Sequence, residues 1–497
     1  MHCRLHLVGV LLLTSIGFLA SSLSLEYSDH LIQLITTNEE YLTNNPILLS
    51  AELCSSIAIV LGCIGCCIPL QYLGRRSTLE LLSAPLLILG CCMTFTFHHL
   101  LQQSQQNSLS NYIDIILFLG ICLQGISCGF TFVAAPIYIL ETIGKVTNPS
   151  FSIGILLLAT QMSTTTGLLL ANVFPVTHET YFCHLIPAAF NVFSLIGFNF
   201  LPESPRWLLL KKNRFVDAKN ALSMLKFSKK DDYESTAHLE HLKNENEKLK
   251  ENRNITSYIH PLLLGIGLCS IWYLHGVHVY EFYASWTMKF AGISMKWKID
   301  STLLSLCIRF SAVSVLAAMY LIVKDINFHT TFLTFACAIV TLSLTVTGLC
   351  FYGFEEETTW VSYLCWLPLS TFLLFQCAFW LGLGSQVYIL AVIISPQAFR
   401  PSIASVGGAM FWLGDMFSSR LVVPMISTLH PFGTFWFFAG MSAISLIFVL
   451  CSVFPEMHTK DLIPELPSHK ISNTKALIVD EINCLYSISH KPTPPAN

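Results

Sequence analysis

His278 and Glu281 stand three residues apart inside an apolar stretch, so a helix would bring both to one face. An imidazole and a carboxylate placed there can share a proton or bind a polar solute; the alternative is that Glu281 lies near enough to the outer surface to be hydrated. Asp415 and Arg420, five apart in another apolar stretch, either line a cavity or mark a helix end. Arg309 is expected to pair helices or to sit at an interface. Gln161, just before Ser163 and the run Thr164 to Thr166, carries an amide that both donates and accepts and so suits a hydroxyl. An ionised group at the centre of a membrane helix costs roughly 2.5 to 3.5 kcal/mol on insertion scales, which makes each of these a functional candidate. No nucleophile, base and oxyanion donor assemble from motifs, and no Gly-rich loop ending in Lys-Ser/Thr occurs, so neither an enzyme nor a nucleotide-driven pump is expected, and no cofactor. Cys63-x-x-Cys66-Cys67 has metal-like spacing, but without His or acid nearby these thiols are expected to serve as small apolar residues and to hold no metal.

These groups must be positioned by helices in lipid. Of 497 residues, 53% are hydrophobic and only 11% charged, with a mean hydropathy of +0.61; a soluble domain carries about a quarter charged residues. Apolar stretches long enough to span about 30 Å of hydrocarbon fall near 7–25, 48–70, 79–101, 113–140, 150–175 and 183–201, then near 260–284, 301–323, 331–353, 361–394, 402–426 and 434–454. Backbone groups in lipid must pair within each segment, which predicts helices and not barrel strands. The first stretch, with Arg4 before it and Ala20, Ser21 and Ser22 at its end, also fits a cleaved signal peptide; a membrane helix is the favoured reading, since removal would leave an odd number of spans.

Between the sixth and seventh stretches lies a charged insert. It holds eleven Lys and Arg between residues 211 and 253, and Arg75-Arg76 lies between the second and third stretches. By the positive-inside rule these loops and both termini are cytosolic. The opposite loops carry Glu26, Asp29, Glu39 and Glu40, and Glu355 to Glu357, against which Lys289, Lys296 and Lys298 are an exception. The sequon at Asn254 then lies on the cytosolic side. The division expected is a six-helix bundle over 1–201, a linker with amphipathic helices over 202–258 (Phe215, Ala218, Ala221, Leu222 and Leu225 recur at helical spacing), a second six-helix bundle over 259–455, and a disordered tail over 456–497. Two such halves enclose a midplane site and work by rocking. The net charge of −3 comes with no basic face interleaved with aromatics, so the expected partners are a small solute and the bilayer, not nucleic acid or nucleotide.

Pro202-Glu203-Ser204-Pro205-Arg206-Trp207-Leu208-Leu209, directly after the sixth stretch, resembles the signature of the sugar-porter family of the major facilitator superfamily. Further landmarks follow in order: Gly74-Arg75-Arg76; Gly125, Gly129, Pro136, Tyr138 and Glu141; Gln161 and Gly167; Gly276, Phe282 and Tyr283; Gly382 and Gly384; Arg400; Trp412; and Pro455-Glu456 followed by Lys460. The pattern is most similar to insect trehalose-type facilitators. The resemblance implies an all-α membrane protein of twelve helices in two bundles. It implies solute-binding roles for Gln161, His278, Tyr283 (as an outer gate), Tyr388, Trp412 (as a cavity floor) and Asp415, and a cytosolic gating network of Arg75, Arg76, Glu141, Glu203, Arg206, Arg400 and Glu456, within which Glu203 and Arg206 form a charge pair.

Departures from the family pattern bear on mechanism. Gln71 and Tyr72 replace an acid and an arginine, Ile121 and Asn148 replace arginines, and the loop from Asp325 to Thr330 lacks its Gly-Arg-Arg. Trp380 and Ile393 stand where acids are usual, Trp272 and Tyr273 where paired glutamines are, and His278 and Asp415 where asparagines are. A thinned ion-pair network is expected to shift the balance towards inward-facing states. Proton-driven members carry an aspartate in the first helix; residues 7–25 contain no acid, which favours a facilitator unless Glu281 or Asp415 takes that role. The function expected is facilitated, alternating-access transport of a hexose or trehalose-class sugar across the plasma membrane. The alternatives are a sugar sensor or scaffold without flux, and a transporter of another small polar or organic-ion solute.

Overall fold

The computed structural model describes residues 2–36, 51–103, 110–143, 149–177, 180–225, 243, 256–291, 301–323, 326–359, 363–395 and 399–453. The second half of the insert, Glu456 and the tail lie outside the described residues. Every described element is a helix, as chains without water to bond demand. The first six membrane helices are His2–Thr36, Ala51–Gly65 with Cys67–Tyr72, Arg75–Thr78 running on to Gln103, Ser110–Ile143, Pro149–Leu157 running on to Val173, and Leu185–Phe198. Short helices Pro205–Leu210 and Phe215–Leu225 follow, the second burying Ala218, Ala221 and Leu225 as its spacing predicts.

The seventh helix comes in two pieces, Thr256–Leu274 and Val277–Phe290; the eighth is Ser301–Ile322, the ninth Ile326–Glu355, and the tenth again two pieces, Leu367–Leu381 and Leu383–Ile394. The last two membrane helices run as one stretch, Arg400–Phe448, broken at His430, whose φ of 59° and ψ of 168° are not helical. Pro431 explains the break: it has no N–H to continue the ladder, and its ring disfavours a helical residue before it. Eleven helical stretches among the described residues are long and apolar enough to cross a membrane, and the last of them crosses twice. The first helix is part of the bundle: Ala20, Ser21 and Ser22 are buried, and Ser194 of the sixth helix donates to the Leu13 carbonyl at 3.4 Å. It also runs about ten residues beyond its apolar stretch, to Thr36, and so includes Glu26 and Asp29.

From the midplane to the end bearing Gly74 and Arg400, the two halves interlock. The second and eleventh helices touch through Cys67 Sγ and Ser402 Oγ, 3.6 Å apart. The fifth and eighth approach so closely that a Cβ on Gly154 would lie 3.1 Å from Cβ of Tyr320. Phe132 of the fourth helix wedges between Tyr388 (4.3 Å between ring centroids) and Phe411 (5.4 Å), while the Tyr388 hydroxyl donates to the Phe132 and Ala404 carbonyls at 3.4 and 3.3 Å.

The seventh-helix break depends on Gly276, which sits in left-handed backbone at φ 65°, where a Cβ would also meet Phe438 at 2.6 Å. Strain in that conformation is about 1–2 kcal/mol for an L-residue before the contact is counted. Gly276→Ala should therefore lower the thermal unfolding temperature of detergent-solubilised protein; an unchanged melt would show that the turn tolerates a side chain.

Candidate solute site and its closed end

Both broken helices break near the middle of their apolar stretches, Leu262–Phe290 and Leu367–Ile394, and His278, Glu281 and Asp415 gather beside the first break. His278 lies in the first turn after Gly276, with Nδ1 3.1 Å from Glu281 Oε2 and Nε2 3.1 Å from Asp415 Oδ1. The spacing that puts His278 and Glu281 on one face thus holds, and Asp415 of the eleventh helix completes a triad. The Glu281 side chain is 47% exposed, that of Asp415 27% and that of His278 19%, so the group faces an opening and not a sealed core.

Arg309 joins the eighth helix to the tenth, as a helix-pairing residue does: its guanidinium lies 3.9 Å over the Trp380 ring, within electrostatic range of Glu281, Asp415 and Glu26. Its Nε is buried without a hydrogen-bond partner among the described residues. An arginine on an indole face in a dry site is held by cation–π attraction, so Trp380, standing where an acid is usual, seats a cation instead of pairing with one. The Trp380 Nε1 donates to Gln376 Oε1 at 3.0 Å, and Gln376, fully buried, keeps an unpartnered amide nitrogen.

Across the cleft, Gln161 lies in a π turn, Leu158–Met162, that interrupts the fifth helix; such turns re-aim side chains and frequently mark functional positions. Its carbonyl accepts the hydroxyls of Thr164 and Thr165 at 2.9 and 2.7 Å, and it is half-buried. Next to it, the Met162 sulfur accepts from Ser314 of the eighth helix at 3.4 Å, joining the halves near this level. Trp412 meets Phe132 edge-on at 5.8 Å, and its Nε1 is an unpartnered buried donor; it sits directly on the aromatic wedge, as a floor would. Tyr388 is inside that wedge and only 5% exposed. Tyr283 packs within the carboxyl-terminal half, its ring 4.8 Å from Phe351 and 5.7 Å from Phe435. Trp272, at one of the usual glutamine positions, spends its N–H on the Gly384 carbonyl at 3.3 Å and bridges the two helix breaks.

The closed end is held differently from the open one. The Arg75 guanidinium grips Glu141 through Nε at 2.8 Å and Nη2 at 2.9 Å, and donates to the Leu70 carbonyl at 3.1 Å; both side chains of the pair are nearly inaccessible. Ser204 also bonds Glu141. Glu203 accepts from the backbone N–H groups of Arg75, Arg76, Ser77 and Ser204 at 2.8 to 3.2 Å, capping the helix that begins at Arg75. Gly74, at φ 110°, lets that carboxylate in: a Cβ there would lie 2.5 Å from Glu203 Oε2. The carboxylate thus caps a helix. Arg76 binds Glu80 at 2.8 Å and the Leu201 carbonyl at 2.8 Å, and Trp207 Nε1 donates to the Gln71 carbonyl at 3.1 Å. In the other half, Arg400 donates to the Val392 and Ser395 carbonyls at 3.0 and 3.3 Å. The octet after the sixth helix is thereby lashed to the second-to-third loop and the fourth helix, where Tyr138 donates to the Pro202 carbonyl at 2.6 Å.

A family described as "Sugar (and other) transporter" matches residues 13–464. The chain belongs to the sugar (and other) transporter family. It is similar to the facilitated trehalose transporter Tret1 of Drosophila willistoni (27% identical over 79% of this chain and 42% of that protein) and of Polypedilum vanderplanki (24% identical over 79% and 73%). It therefore spans less than half the length of the first relative and about three quarters of the second. Among solved structures, the proton:xylose symporter XylE bound to 6-bromo-6-deoxy-D-glucose superposes with a TM-score of 0.73 at 16% identity, over 90% of this chain and 95% of that one. The inward-open XylE from E. coli reaches 0.61, also at 16% identity, over 91% and 99%. At that identity the likeness establishes the fold: this member of the sugar transporter family is a multi-pass, all-α membrane protein of the twelve-helix, two-bundle major facilitator architecture.

Within that fold, His278, Glu281 and Asp415 come together near Arg309, Trp412 lies on the aromatic wedge, and Tyr283 and Tyr388 pack against aromatic rings. The contacts of Arg309 with Trp380 and of Trp380 with Gln376 were missed in the sequence; the signal was present, since an arginine and a glutamine inside apolar helices need partners. The buried Arg75–Glu141 pair generates a test. Glu141→Ala would leave a guanidinium buried without its counter-charge, at about 3–5 kcal/mol. A large drop in melting temperature and in monodisperse yield is expected, with Glu141→Gln intermediate; an Ala variant as stable as the parent would refute the pair's structural role.

Proposed function

We propose that the chain is a facilitative transporter of hexose- or trehalose-class sugars, working by alternating access in the plasma membrane with both termini in the cytosol. The observation that carries this reading is the pair of broken helices. Both break near the middle of their apolar stretches, the fifth helix carries Gln161 on a π turn, and aromatic packing joins the two halves. Broken helices supply polar backbone inside a membrane only where it lines a cavity or is buried in protein. Gln161 and the half-buried ring of Trp412 supply the amide and the aromatic face that a ring of hydroxyls with an apolar underside needs. The names of the similar insect proteins favour trehalose within that class. The basic residues of the insert and of Arg75-Arg76 support the orientation, which makes the closed end cytosolic and this state outward-facing. No pump chemistry is needed: solute runs down its gradient as the halves rock. A second reading, transport of another small polar or organic-ion solute, is favoured by one feature, the charged triad where amides are usual.

Uptake of labelled glucose and trehalose into oocytes expressing the chain tests the proposal. Saturable uptake of at least one sugar is expected, equilibrating without accumulation. Gln161→Ala should raise the KM about tenfold, the worth of one hydrogen bond to a hydroxyl. No saturable uptake of either sugar would overturn the sugar assignment, and accumulation above the external concentration would overturn the facilitative one.

A further inference from the structure

The triad around His278 has a proton count that its geometry fixes. Both ring nitrogens face carboxylate oxygens, Glu281 Oε2 and Asp415 Oδ1, each at 3.1 Å. A neutral imidazole has one N–H and one lone pair, so with two ionised carboxylates one of these contacts would set lone pair against lone pair. The arrangement closes only with one further proton, carried either as an imidazolium or on one of the carboxyls. The charges facing the triad are Arg309 on the eighth helix and Glu26, with His30 beside it, on the first. A single guanidinium, that of Arg309, faces Glu281, Asp415 and Glu26 and does not balance all three carboxylates, which favours a further proton in the group.

Position gives the proton a mechanical consequence. His278 and Glu281 belong to the outer piece of the seventh helix, which starts at the left-handed Gly276; Asp415 belongs to the unbroken eleventh. The His278–Asp415 contact therefore ties a hinged segment to a fixed one. We propose that His278, Glu281 and Asp415 form a binding site for one proton taken from the outer solution, and that its loading latches the outer seventh helix over the solute cleft. With the proton bound, both contacts stand and the hinged segment is held as seen here. As the external pH rises the proton leaves, one contact turns repulsive, and the segment swings from Asp415. Stability of this state is thus present at low pH and lost as pH rises. The proton acts as a ligand of the gate and is not carried across, which keeps the transport facilitative.

The proposal rests on the sugar-transport reading for its first measurement only. In oocytes at fixed internal pH, the KM for the transported sugar should rise as external pH goes from about 7 to about 10, towards the roughly tenfold that one lost contact is worth. In Asp415→Asn, whose amide can donate to or accept from a neutral imidazole, that dependence should vanish whatever the absolute rate. A wild-type KM flat in pH, or a dependence that survives Asp415→Asn, would overturn the site; sugar-induced inward proton current would overturn the gating role. The second measurement needs no transport: the melting temperature of purified protein should fall across the same pH range more steeply in the wild type than in Asp415→Asn. Equal slopes would overturn the proton site even if sugar uptake is found, and unequal slopes would support it even if none is.

Discussion

Hydrocarbon offers a peptide group nothing to bond to, and the rest of this molecule follows from that. Each crossing must be a helix, and any interruption must be buried in protein or face a cavity. Gly276 and Gly382 interrupt the seventh and tenth helices, and Pro431 ends the eleventh. The first two breaks lie near the middle of their apolar stretches and are braced by Trp272, whose indole N–H bonds the Gly384 carbonyl at 3.3 Å. The cost of breaking helices there is offset by what the breaks create, namely backbone turns and polar side chains converging where the two halves meet.

The closed end shows how such a frame can hold with fewer charges. Buried ion pairs bind within the amino-terminal half, where Arg75 and Glu141 anchor the octet at its exit from the membrane. Between halves, closure rests on packing and uncharged hydrogen bonds: the Phe132 wedge against Tyr388 and Phe411, the Tyr388 hydroxyl on the Phe132 carbonyl, the Gly154 approach to Tyr320, and the Cys67–Ser402 contact. Departures from the family's arginine and acid pattern thin the charged links, and aromatic packing takes over part of that task. Contacts of this kind break without leaving a charge stranded, which suits the alternating access proposed for this chain.

Much of the fold was legible because hydropathy reports lipid contact directly. The twelve apolar stretches and the charged insert need no tertiary information. The site was legible in part. His278 and Glu281 share a face because helical spacing says so, but Asp415 joins them through the crossing of two helices, which spacing within one helix does not encode. The family alignment placed Tyr388 and Tyr283 at the solute, yet bulky neighbours (Phe132 for one, Phe351 and Phe435 for the other) draw both into packing. Arg309 was legible as a helix-pairing residue, but its partner Trp380 is fixed only once the eighth and tenth helices meet. The first helix was read too short because Glu26 and Asp29 lower its hydropathy without ending it, and Glu26 is tied back by Asn172 at 3.2 Å.

The central claim is that the two halves must part at the end where Cys67 faces Ser402. Ser402→Cys places a second thiol opposite the native one, where the side-chain atoms now stand 3.6 Å apart. Uptake by this variant, measured before and after a mild membrane-permeant oxidant and again after reductant, tests the claim directly, with the linked peptide verified by mass spectrometry. The account predicts that S402C stops transporting when bridged to Cys67 and resumes on reduction, while the unsubstituted chain is indifferent to the oxidant. Undiminished uptake by the bridged protein would contradict it.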